Sequence, residues 1–449
     1  MIPEEFPDSR ICIVGLGYVG LTLAVEMAAV GFQVHGVDVR DDIIGGLEKG
    51  EPHFWEEGLT ERLRLVISQR RFTFSKRMPA TMDHSVFIIT VGTPLGPDGH
   101  ARLDMIENAT REIASVMREG ALVILRSTVR IGTARRNVQP ILAATGRRFE
   151  LAVCPERTLE GRALTELREI PQVIGADASR TAHRAAQIFG CLTPTTLRVV
   201  KLETAEIVKL VDNTYRDVMF AFGNEVARIC DAVGVSAHEV ISAGKLGYPR
   251  TNVALPGPVG GPCLEKDGHI LRESCKLYGI DVEITTATRM INERLPRESA
   301  AFLRKVFTEH LSAPRDMQIA LLGIAFKGQP ATDDLRGTMA RPILQALQQE
   351  FPQARFRAYD AVVAPAATAS FLGIEAVDTL EQAFSGASLV CILNNHSALR
   401  GMALSSLSRE MTSPGIVYDF WNLFAGKNVQ LKPAVRYVSL GSHSFAYQP

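Results

Sequence analysis

The sequence of 449 residues predicts an α/β protein with two Rossmann-like doubly wound domains, joined by a central helical segment with one long helix. Three observations support this fold class. Short apolar runs alternate with helical patterns in the first and last parts of the chain, as in parallel sheets covered by helices. A long helical pattern at 202–233 separates these parts, and a glycine- and proline-rich loop at 256–262 follows it. We expect three domains: 1–200, 201–312 and 313–449.

The composition is that of a globular chain with no strong preference for a charged partner. Hydrophobic residues make up 46% and charged residues 22%, and 49 basic residues balance 49 acidic ones. Because there is no basic surplus, we expect neither nucleic acid nor a membrane surface as a partner. The seven cysteines are scattered singly, which argues against a disulfide framework or a structural zinc site. We therefore expect a cytoplasmic protein without a bound metal.

We expect the N-terminal region to be neither a signal peptide nor a membrane span. The first ten residues contain three acidic residues and lack the basic stretch of a signal peptide. The following stretch, Ile11 to Val37, is nearly all apolar, but Glu26, Gln33 and five glycines interrupt it. A strand, a turn and a buried helix explain these glycines better than a transmembrane helix does.

Glycines follow the first apolar run in a pattern that suits a phosphate-binding turn. The predicted strand Ile11–Val14 ends at Gly15, and Gly17 and Gly20 come before a helical pattern. Gly15 makes the tight turn, Gly17 lets the backbone approach a pyrophosphate, and Gly20 permits close helix packing. The helix N-terminus faces the phosphates. Two more candidate cofactor-binding residues lie between these glycines: Tyr18 and Val19.

The acidic residue after the second predicted strand indicates which dinucleotide binds. The strand Gln33–Val37 ends in Asp38, 18 residues after Gly20. Asp38 can accept hydrogen bonds from both hydroxyls of a ribose, which favours NAD over NADP. Arg40 leaves the alternative open, because a nearby arginine can hold a 2′-phosphate.

Three further predicted strands end in polar residues that mark a binding crevice. Val86–Val91 leads to Thr93, Ala121–Leu125 to Thr128, and Leu151–Val153 to Glu156, Arg157 and Glu160. Ligands bind outside the carboxyl ends of the strands in open α/β sheets, so these ends should form one rim. The alternatives are strand-end or helix-cap roles for the two threonines and a solvated loop for the two glutamates.

The long helical pattern at 202–233 carries two polar residues on one face. Lys209 and Asn213 are four residues apart and lie among apolar neighbours. They are either a snorkelling lysine and a solvated asparagine, or an amine and an amide that project into the crevice. A helix of this length often links domains or forms the core of an oligomer.

One cysteine lies in a setting that favours a reactive thiol. Cys263 follows the loop at 256–262, and Lys266 and Asp267 open the next helical pattern, at 268–278. A nearby helix N-terminus and a lysine both lower the pKa of a thiol, so we expect Cys263 to be a nucleophile. The other six cysteines are expected to be inert.

The last part of the chain predicts a second α/β unit without a dinucleotide motif. A helical pattern runs from Glu283 to about Leu311 with Pro296 inside it, and 314–316 punctuate the boundary. The predicted strands are Ile319–Gly323, Arg355–Tyr359, Leu389–Leu393, Ile416–Tyr418 and Arg436–Ser439. The first turn lacks Gly-x-Gly-x-x-Gly, so a mononucleotide or an interaction surface is expected rather than a second dinucleotide.

Eight motifs in order resemble one enzyme family. They are Gly-Leu-Gly-Tyr-Val-Gly, Val-Gly-Thr-Pro, Ser-Thr-Val, Pro-Glu-Arg, Lys-x3-Asn, Gly-Gly-Pro-Cys-x3-Asp, Ala-Phe-Lys and Tyr-Asp, over nearly the whole chain. The sequence resembles the family of UDP-glucose and GDP-mannose 6-dehydrogenases. The resemblance implies a four-electron oxidation of the sugar C6 alcohol to a carboxylate, with two NAD⁺ reduced.

The resemblance also implies roles for the candidate residues. Cys263 would form a thiohemiacetal and then a thioester, Lys209 and Asn213 would stabilise the oxyanion, and Asp267 would assist proton transfer. Thr128 would hold a water, and Glu156 or Glu160 would help to activate it. Cofactor binding would further involve Thr93, Thr128, Lys266 and Arg336. Substrate binding would involve Arg157, Glu160, Lys209, Asn213, Arg250, Asn252, Gly260, Phe326 and Lys327.

The implied partners are a UDP-sugar, bound by the C-terminal domain, and a second copy of the chain, bound through helix 202–233. Arg157 after Pro-Glu resembles the branch that acts on UDP-N-acetylhexosamines and supplies uronic acids for surface polysaccharides. UDP-glucose is the alternative substrate. A single-step dehydrogenase that needs no thiol and a non-catalytic nucleotide-binding protein are the remaining alternatives.

Overall fold

The computed structural model describes residue 2 and residues 6–311, 316–427 and 429–443. The chain divides into two compact units: Met1–Asn213 with His269–Asp281, and Thr214–Gly268 with Val282–Pro449. The expected boundary at 200/201 remains a prediction. The boundary at 312/313 and part of the predicted punctuation at 314–316 lie outside the described residues, as do residues 1 and 3–5 of the segment analysed for a signal peptide.

An eight-stranded sheet forms the centre of the first unit. Its order is β3-β2-β1-β4-β5-β6-β7-β8, and every neighbouring pair is parallel except β6 and β7. The strands are β1 Arg10–Val14, β2 Gln33–Val37, β3 Phe72–Ser75, β4 Val86–Ile89, β5 Ala121–Leu125, β6 Phe149–Val153, β7 Gln172–Gly175 and β8 Thr196–Val199. The order 3-2-1-4-5-6 is that of a Rossmann domain, as predicted.

Helices connect these strands and cover both faces of the sheet. They are α1 Tyr18–Val30, α2 Asp41–Glu48, α3 Leu59–Ser68, α4 Asp104–Val116, α5 Gln139–Ala143, α6 Ala163–Glu169 and α7 Ser179–Phe189, with a π-helical segment at Ala134–Val138. Both β4 and β5 are buried at every position, because each face packs on helices. This double burial explains why the central strands read as continuous apolar runs.

The second unit contains a six-stranded parallel sheet with the same relative order. Its order is β11-β10-β9-β12-β13-β14. The strands are β9 Gln318–Leu322, β10 Arg355–Tyr359, β11 Glu375–Ala376, β12 Leu389–Ile392, β13 Gly415–Asp419 and β14 Val435–Ser439. The predicted second Rossmann-like domain is therefore confirmed.

The central helix is α8, Leu202–Val233, with the 32 residues that the pattern predicts. The next helices are α9 Ala237–Lys245, α10 Asp267–Lys276 and α11 Glu283–Val306, which includes Pro296 and continues into a π-helical segment at Phe307–Leu311. The second sheet is covered by α12 Ala340–Glu350, α13 Pro365–Leu372, α14 Leu380–Phe384, α15 Ser397–Arg400 and α16 Leu404–Leu407, followed by a 3₁₀ turn at Ser408–Glu410.

Four strands carry too weak a sequence signal to be predicted: β3, β7, β8 and β11. Three lie at or near the sheet edges, where one face or end meets solvent and the apolar pattern fades. Within the described parts of the chain, no helix combines the length and apolarity that crossing a membrane requires.

Candidate active site

The glycines of the first turn have the backbone and the open space that a pyrophosphate needs. Gly15 has φ +95°, and a Cβ there would lie 2.9 Å from the Val91 nitrogen. A Cβ on Gly20 would lie 1.8 Å from the Gly15 oxygen, so α1 can approach β1 closely only with glycine. At Gly17, which caps α1, a Cβ would meet nothing within 4 Å. The space above the helix N-terminus is therefore open to a bound phosphate.

Asp38 accepts two hydrogen bonds from the backbone around this turn and has acceptor positions left for a ribose. Its two oxygens accept hydrogen bonds from the amides of Leu16, at 2.7 Å, and Arg40, at 3.0 Å. A carboxylate has about four acceptor positions, so two remain for hydroxyl donors. The Arg40 guanidinium pairs with Asp42, and this pairing holds the pKa of Asp42 below its usual value. Arg40 is thus engaged with a carboxylate, which favours NAD over NADP.

A cavity of about 630 Å³ begins beside Asp38. Its volume is in the usual range for a small-molecule site. The residues that line it are Val39, Lys76, Arg77, Met78, Glu112 and Ser115. This cavity could not be predicted, because Lys76 and Arg77 follow strand β3, whose sequence signal is weak.

The ends of β4 and β5 bring two predicted threonines together. The Thr93 hydroxyl donates to the carbonyl of Thr128 at 2.5 Å, and the Ser127 hydroxyl donates to the carbonyl of Val91 at 2.7 Å. Thr93 is buried and Thr128 is half-buried. The two strand ends therefore form one surface, as expected from their position in a parallel sheet.

Glu156 is a buried carboxylate that Arg126 neutralises. Arg126, 2% exposed, donates from Nε and Nη2 to the same Glu156 oxygen. The other oxygen accepts from the amides of Arg157 and Thr158, both at 2.7 Å. Burial favours a higher pKa, but Arg126, the Thr158 amide and Lys209 together hold the pKa of Glu156 below its usual value. Glu156 is thus an ionised, fully engaged group rather than a solvated one.

Glu160 lies in a loop that is tied to the start of α1. Glu160 is buried, which argues against the alternative of a solvated loop. The buried Glu56 accepts hydrogen bonds from the amides of Gly161 and Ala163, both at 2.7 Å, and from the Tyr18 hydroxyl. The pKa of Tyr18 is raised, first by burial and then by Glu56 and Glu160. The loop that carries Glu160 is therefore held at the helix that faces the pyrophosphate.

Lys209 and Asn213 are both buried on α8, with 8% and 6% of their surface exposed. This burial excludes the alternative of a solvated asparagine. The positive charge of Lys209 contributes to the lowered pKa of Glu156. Beside them, Asp212 accepts a hydrogen bond from Nε of Arg157 at 3.0 Å. The first unit thus gathers an amine and two carboxylates around the end of β6.

Cys263 is half-buried and lies in the turn that precedes α10. Its carbonyl accepts from the amides of Lys266, at 3.1 Å, and Asp267, at 2.9 Å. Lys266 Nζ donates to the buried Asp267 carboxylate at 2.7 Å. Burial would lower the pKa of Lys266, but Asp267, Cys263 and Glu265 raise it overall. The expected proximity of the lysine charge to the thiol is confirmed, while the lowered thiol pKa stays a prediction.

The loop at 256–262, which we call the cysteine loop, packs tightly against the second Rossmann-like domain through two of its glycines. A Cβ on Gly260 would lie 2.2 Å from the Gly337 oxygen. Gly261 has φ +95°, its amide donates to the same oxygen at 2.7 Å, and its Cβ would lie 2.5 Å from the Phe326 ring. Both positions therefore require glycine.

Matches to known protein families cover the chain in three parts. Residues 9–193 match the NAD binding domain of the UDP-glucose/GDP-mannose dehydrogenase family, 203–294 its central domain, and 320–426 its UDP binding domain. The chain belongs to this family. It is an NAD-dependent nucleotide-sugar dehydrogenase.

Individual relatives of this dehydrogenase span nearly its whole length. It is 32% identical to a UDP-N-acetyl-D-mannosamine dehydrogenase of Pyrococcus horikoshii, over 96% of this chain and 98% of the relative. A UDP-D-ManNAc dehydrogenase structure from that organism has a TM-score of 0.86 at 31% identity, covering 97% of this chain and 100% of the other. A UDP-glucose dehydrogenase structure from Pyrobaculum islandicum has a TM-score of 0.82 at 27% identity, with 98% and 99% covered.

Five further predicted ligand residues of the dehydrogenase lie in the second unit: Arg250, Asn252, Phe326, Lys327 and Arg336. Lys327 Nζ lies 5.2 Å from the centre of the Phe326 ring. Arg336 is exposed and donates to Asp334 at 2.6 Å, and Arg250 is exposed over the Tyr248 ring. Asn252 is exposed as well. Their roles in binding stay predictions.

The second sheet has an acidic residue at the position that corresponds to Asp38, but its acceptor capacity is used. Asp360 follows β10 and accepts from four amides, those of Ile324, Ala325, Val362 and Val363, at 2.5 to 2.9 Å. Four donors fill a carboxylate. This saturation agrees with the expectation that the second sheet does not bind a dinucleotide.

Several residues that shape the site carry little signal in the sequence. Arg126 follows a buried strand directly, and an arginine at that point was the one available hint. Glu56 and Arg289 lie far from any recognisable motif, and Asp217 lies four residues after Asn213 of the Lys-x3-Asn motif without belonging to it. They become visible only through the hydrogen bonds that burial forces them to make. Among the described residues, no cluster of His, Cys, Asp and Glu has a metal-binding arrangement.

Proposed function

We propose that this dehydrogenase oxidises the C6 alcohol of a UDP-N-acetylhexosamine to the uronic acid, for use in surface polysaccharides, in the cytoplasm. The observation that carries the proposal is Cys263 in the turn before α10, close to Lys266 and four residues before the buried Asp267 that begins the helix. A thiol is not needed for a two-electron alcohol oxidation, whereas it is suited to holding an aldehyde for a second oxidation. Relatives that are named for UDP-N-acetylmannosamine support the class of sugar.

The residues of the first unit fit NAD: Gly17 leaves room for the pyrophosphate, and Asp38 has acceptors for the ribose. When bound, NAD⁺ would supply the hydride acceptor for both oxidations, that of the C6 alcohol and that of the thiohemiacetal on Cys263, which becomes a thioester. Overall, the alcohol, water and two NAD⁺ give the carboxylate, two NADH and three protons.

The chain itself supplies the covalent and proton-transfer chemistry. The Cys263 sulfur adds to the aldehyde carbon, and the carbonyl oxygen takes up a proton, so that a thiohemiacetal forms. After oxidation, water adds to the thioester carbon, the carbon–sulfur bond breaks, and the thiolate leaves. Lys209 and Asn213 stabilise the oxyanion, and Asp267 assists proton transfer. Thr128 holds a water in this scheme.

Of the two predicted bases for hydrolysis, Glu160 is the better candidate. Both oxygens of Glu156 accept hydrogen bonds from Arg126 or from backbone amides, and the pKa of this carboxyl is lowered. A carboxylate with a low pKa and occupied oxygens is a weak base. We therefore assign Glu156 to orientation and charge balance near Lys209.

The long helix offers a surface for a homodimer. Six apolar residues of α8 are between 37% and 70% exposed: Ile207, Val211, Tyr215, Phe222, Ile229 and Val233. At about 100° per residue they fall on one strip of the helix, roughly 80° wide. A second copy of the chain that packs its own α8 on this strip would bury it. Equilibrium sedimentation tests the dimer; a monomer at micromolar concentration contradicts it.

The decisive experiment measures NADH and acid from a panel of nucleotide sugars. The panel contains UDP-ManNAc, UDP-GlcNAc, UDP-GalNAc, UDP-glucose and GDP-mannose. We expect two NADH per acid and the highest kcat/KM with an N-acetylated sugar. A preference for UDP-glucose would support the alternative substrate. The similar structure from Pyrobaculum islandicum is that of a UDP-glucose dehydrogenase. One NADH with released aldehyde would indicate a single-step dehydrogenase, and no NADH with any sugar a binding protein.

A pair of cysteine variants tests the role of the thiol. Cys263→Ala should stop acid formation, while Cys191→Ala, a half-buried cysteine in the first unit, should leave it unchanged. Normal acid formation by Cys263→Ala would remove this residue from the mechanism.

A further inference from the structure

We propose that a buried ion pair, Asp217 with Arg289, positions the Cys263 nucleophile by holding the carbonyl of the next residue, Leu264. The proposal rests on the covalent mechanism above. It concerns positioning residues, because neither side chain is assigned a contact with substrate or cofactor.

The ion pair lies beneath the cysteine loop within the second unit. Asp217 on α8 and Arg289 on α11 are 1% and 3% exposed. Nη1 of Arg289 lies 3.1 and 3.0 Å from the two Asp217 oxygens and also donates to the Leu264 carbonyl. One charged group therefore connects two helices to the residue that follows Cys263.

The same network also holds the beginning of the loop. Asn292 donates to Asp217 at 2.7 Å, and Asn224 donates to the Asn292 side-chain oxygen at 3.0 Å. Asn224 in turn exchanges two hydrogen bonds with the backbone of Gly257, at 2.9 and 3.1 Å. The loop is thus fixed near both ends by one connected set of buried side chains.

The shape of the first turn of α10 agrees with this arrangement. A Cβ on Gly268 would lie 3.2 Å from Cδ of Arg289, so the arginine stem passes directly against the turn that follows Cys263. The residues from 251 to 260 form no helix or strand. Because this segment lacks a regular hydrogen-bond ladder, its position depends on side chains from outside it.

A buried ion pair is a weak source of stability, so its position suggests another use. Replacing such a pair by apolar or neutral residues of similar volume is often neutral for folding. The geometry of a nucleophile is more demanding, since a misplacement of about 1 Å can cost up to 10²-fold in rate. The first oxidation needs no thiol, whereas the second needs the sulfur at the aldehyde carbon. A displaced loop should therefore release aldehyde.

The test uses the double variant Asp217→Asn/Arg289→Met, which removes both charges and leaves no buried charge unpaired. We expect a thermal midpoint close to that of the wild type. The second oxidation should slow by about 10- to 100-fold. NADH per sugar consumed should fall from two towards one, with free aldehyde trapped by hydroxylamine. Arg297→Met, an exposed position on the same helix, is the control and should still give two NADH.

Two NADH per sugar with no trapped aldehyde in the folded double variant would overturn the proposal. If the double variant does not fold, Arg289→Lys, which retains a buried cation, allows the same measurement: aldehyde release supports the proposal and its absence refutes it. A wild-type enzyme that itself gives one NADH would instead refute the covalent mechanism, so the two failures are distinguishable.

Discussion

The Arg126–Glu156 ion pair gives the sharpest prediction about stability. Arg126→Met removes the guanidinium that faces Glu156, the carbonyl of Cys154 and the side chain of Gln172. Breaking a buried pair from one side costs about 3–5 kcal/mol, because the remaining charge stays buried without its partner. We expect a loss of this size in the free energy of unfolding of the first unit at pH 8, measured by urea denaturation.

The dependence on pH has a definite sign. In the wild type the pKa of Glu156 is lowered, so its contribution to stability is present above the unfolded pKa and is lost as the pH falls. Without Arg126, burial raises the pKa of Glu156, and the contribution is then present at low pH and lost as the pH rises. The difference between wild type and Arg126→Met should therefore shrink between pH 8 and pH 5.

Two controls identify the cause. Adding Glu156→Gln to Arg126→Met removes the unpaired charge and should recover most of the lost stability. Arg148→Met, whose partner Glu119 is exposed, should leave the unfolding midpoint unchanged. A loss that is equal at pH 5 and pH 8, or that persists in the double variant, would refute the electrostatic explanation.

Two further predictions concern the glycine turn and the cofactor. Gly261→Ala forces a side chain into a backbone with φ +95° and within 2.5 Å of the Phe326 ring, so thermal stability and acid formation should both fall. The control Gly244→Ala, which places a Cβ in open space within α9, should lower neither. Unchanged unfolding of Gly261→Ala would contradict the packing described. Asp38→Ala should raise KM for NAD by about 100-fold, since two charge-assisted hydrogen bonds of roughly 1.5 kcal/mol each are lost. An unchanged KM in initial-rate assays would show that Asp38 serves only the turn.

The strongly periodic elements could be predicted from the sequence. The helix at 202–233 has the predicted bounds because apolar residues recur along it with helical spacing. The strand 355–359 also has the predicted bounds. The glycine pattern at 15–20 and the loop before Cys263 were also predictable, because backbone geometry there admits few residue types. Short edge strands such as β8 could not be predicted, because much of their surface is exposed to solvent and they lack a continuous apolar run.

The candidate site was only partly predictable, because its supporting residues act through tertiary contacts. Glu156 appeared as a possible base, and only its two backbone donors and Arg126 indicate a different role. Arg289 is separated by 25 residues from the carbonyl that it holds. No local pattern encodes such a contact, since it depends on how helices pack in space.

Because the carboxylate of Asp360 has no acceptor position left, the choice of cofactor and the choice of sugar nucleotide should depend on different kinds of residue. In the first sheet the equivalent Asp38 leaves acceptors for a ligand, so a change there should alter the choice of cofactor. In the second sheet four amides occupy the acid, so a change at Asp360 would disturb the turn before it altered the choice of sugar nucleotide. Attempts to redirect the enzyme to another nucleotide should therefore leave this aspartate in place and vary the side chains around it.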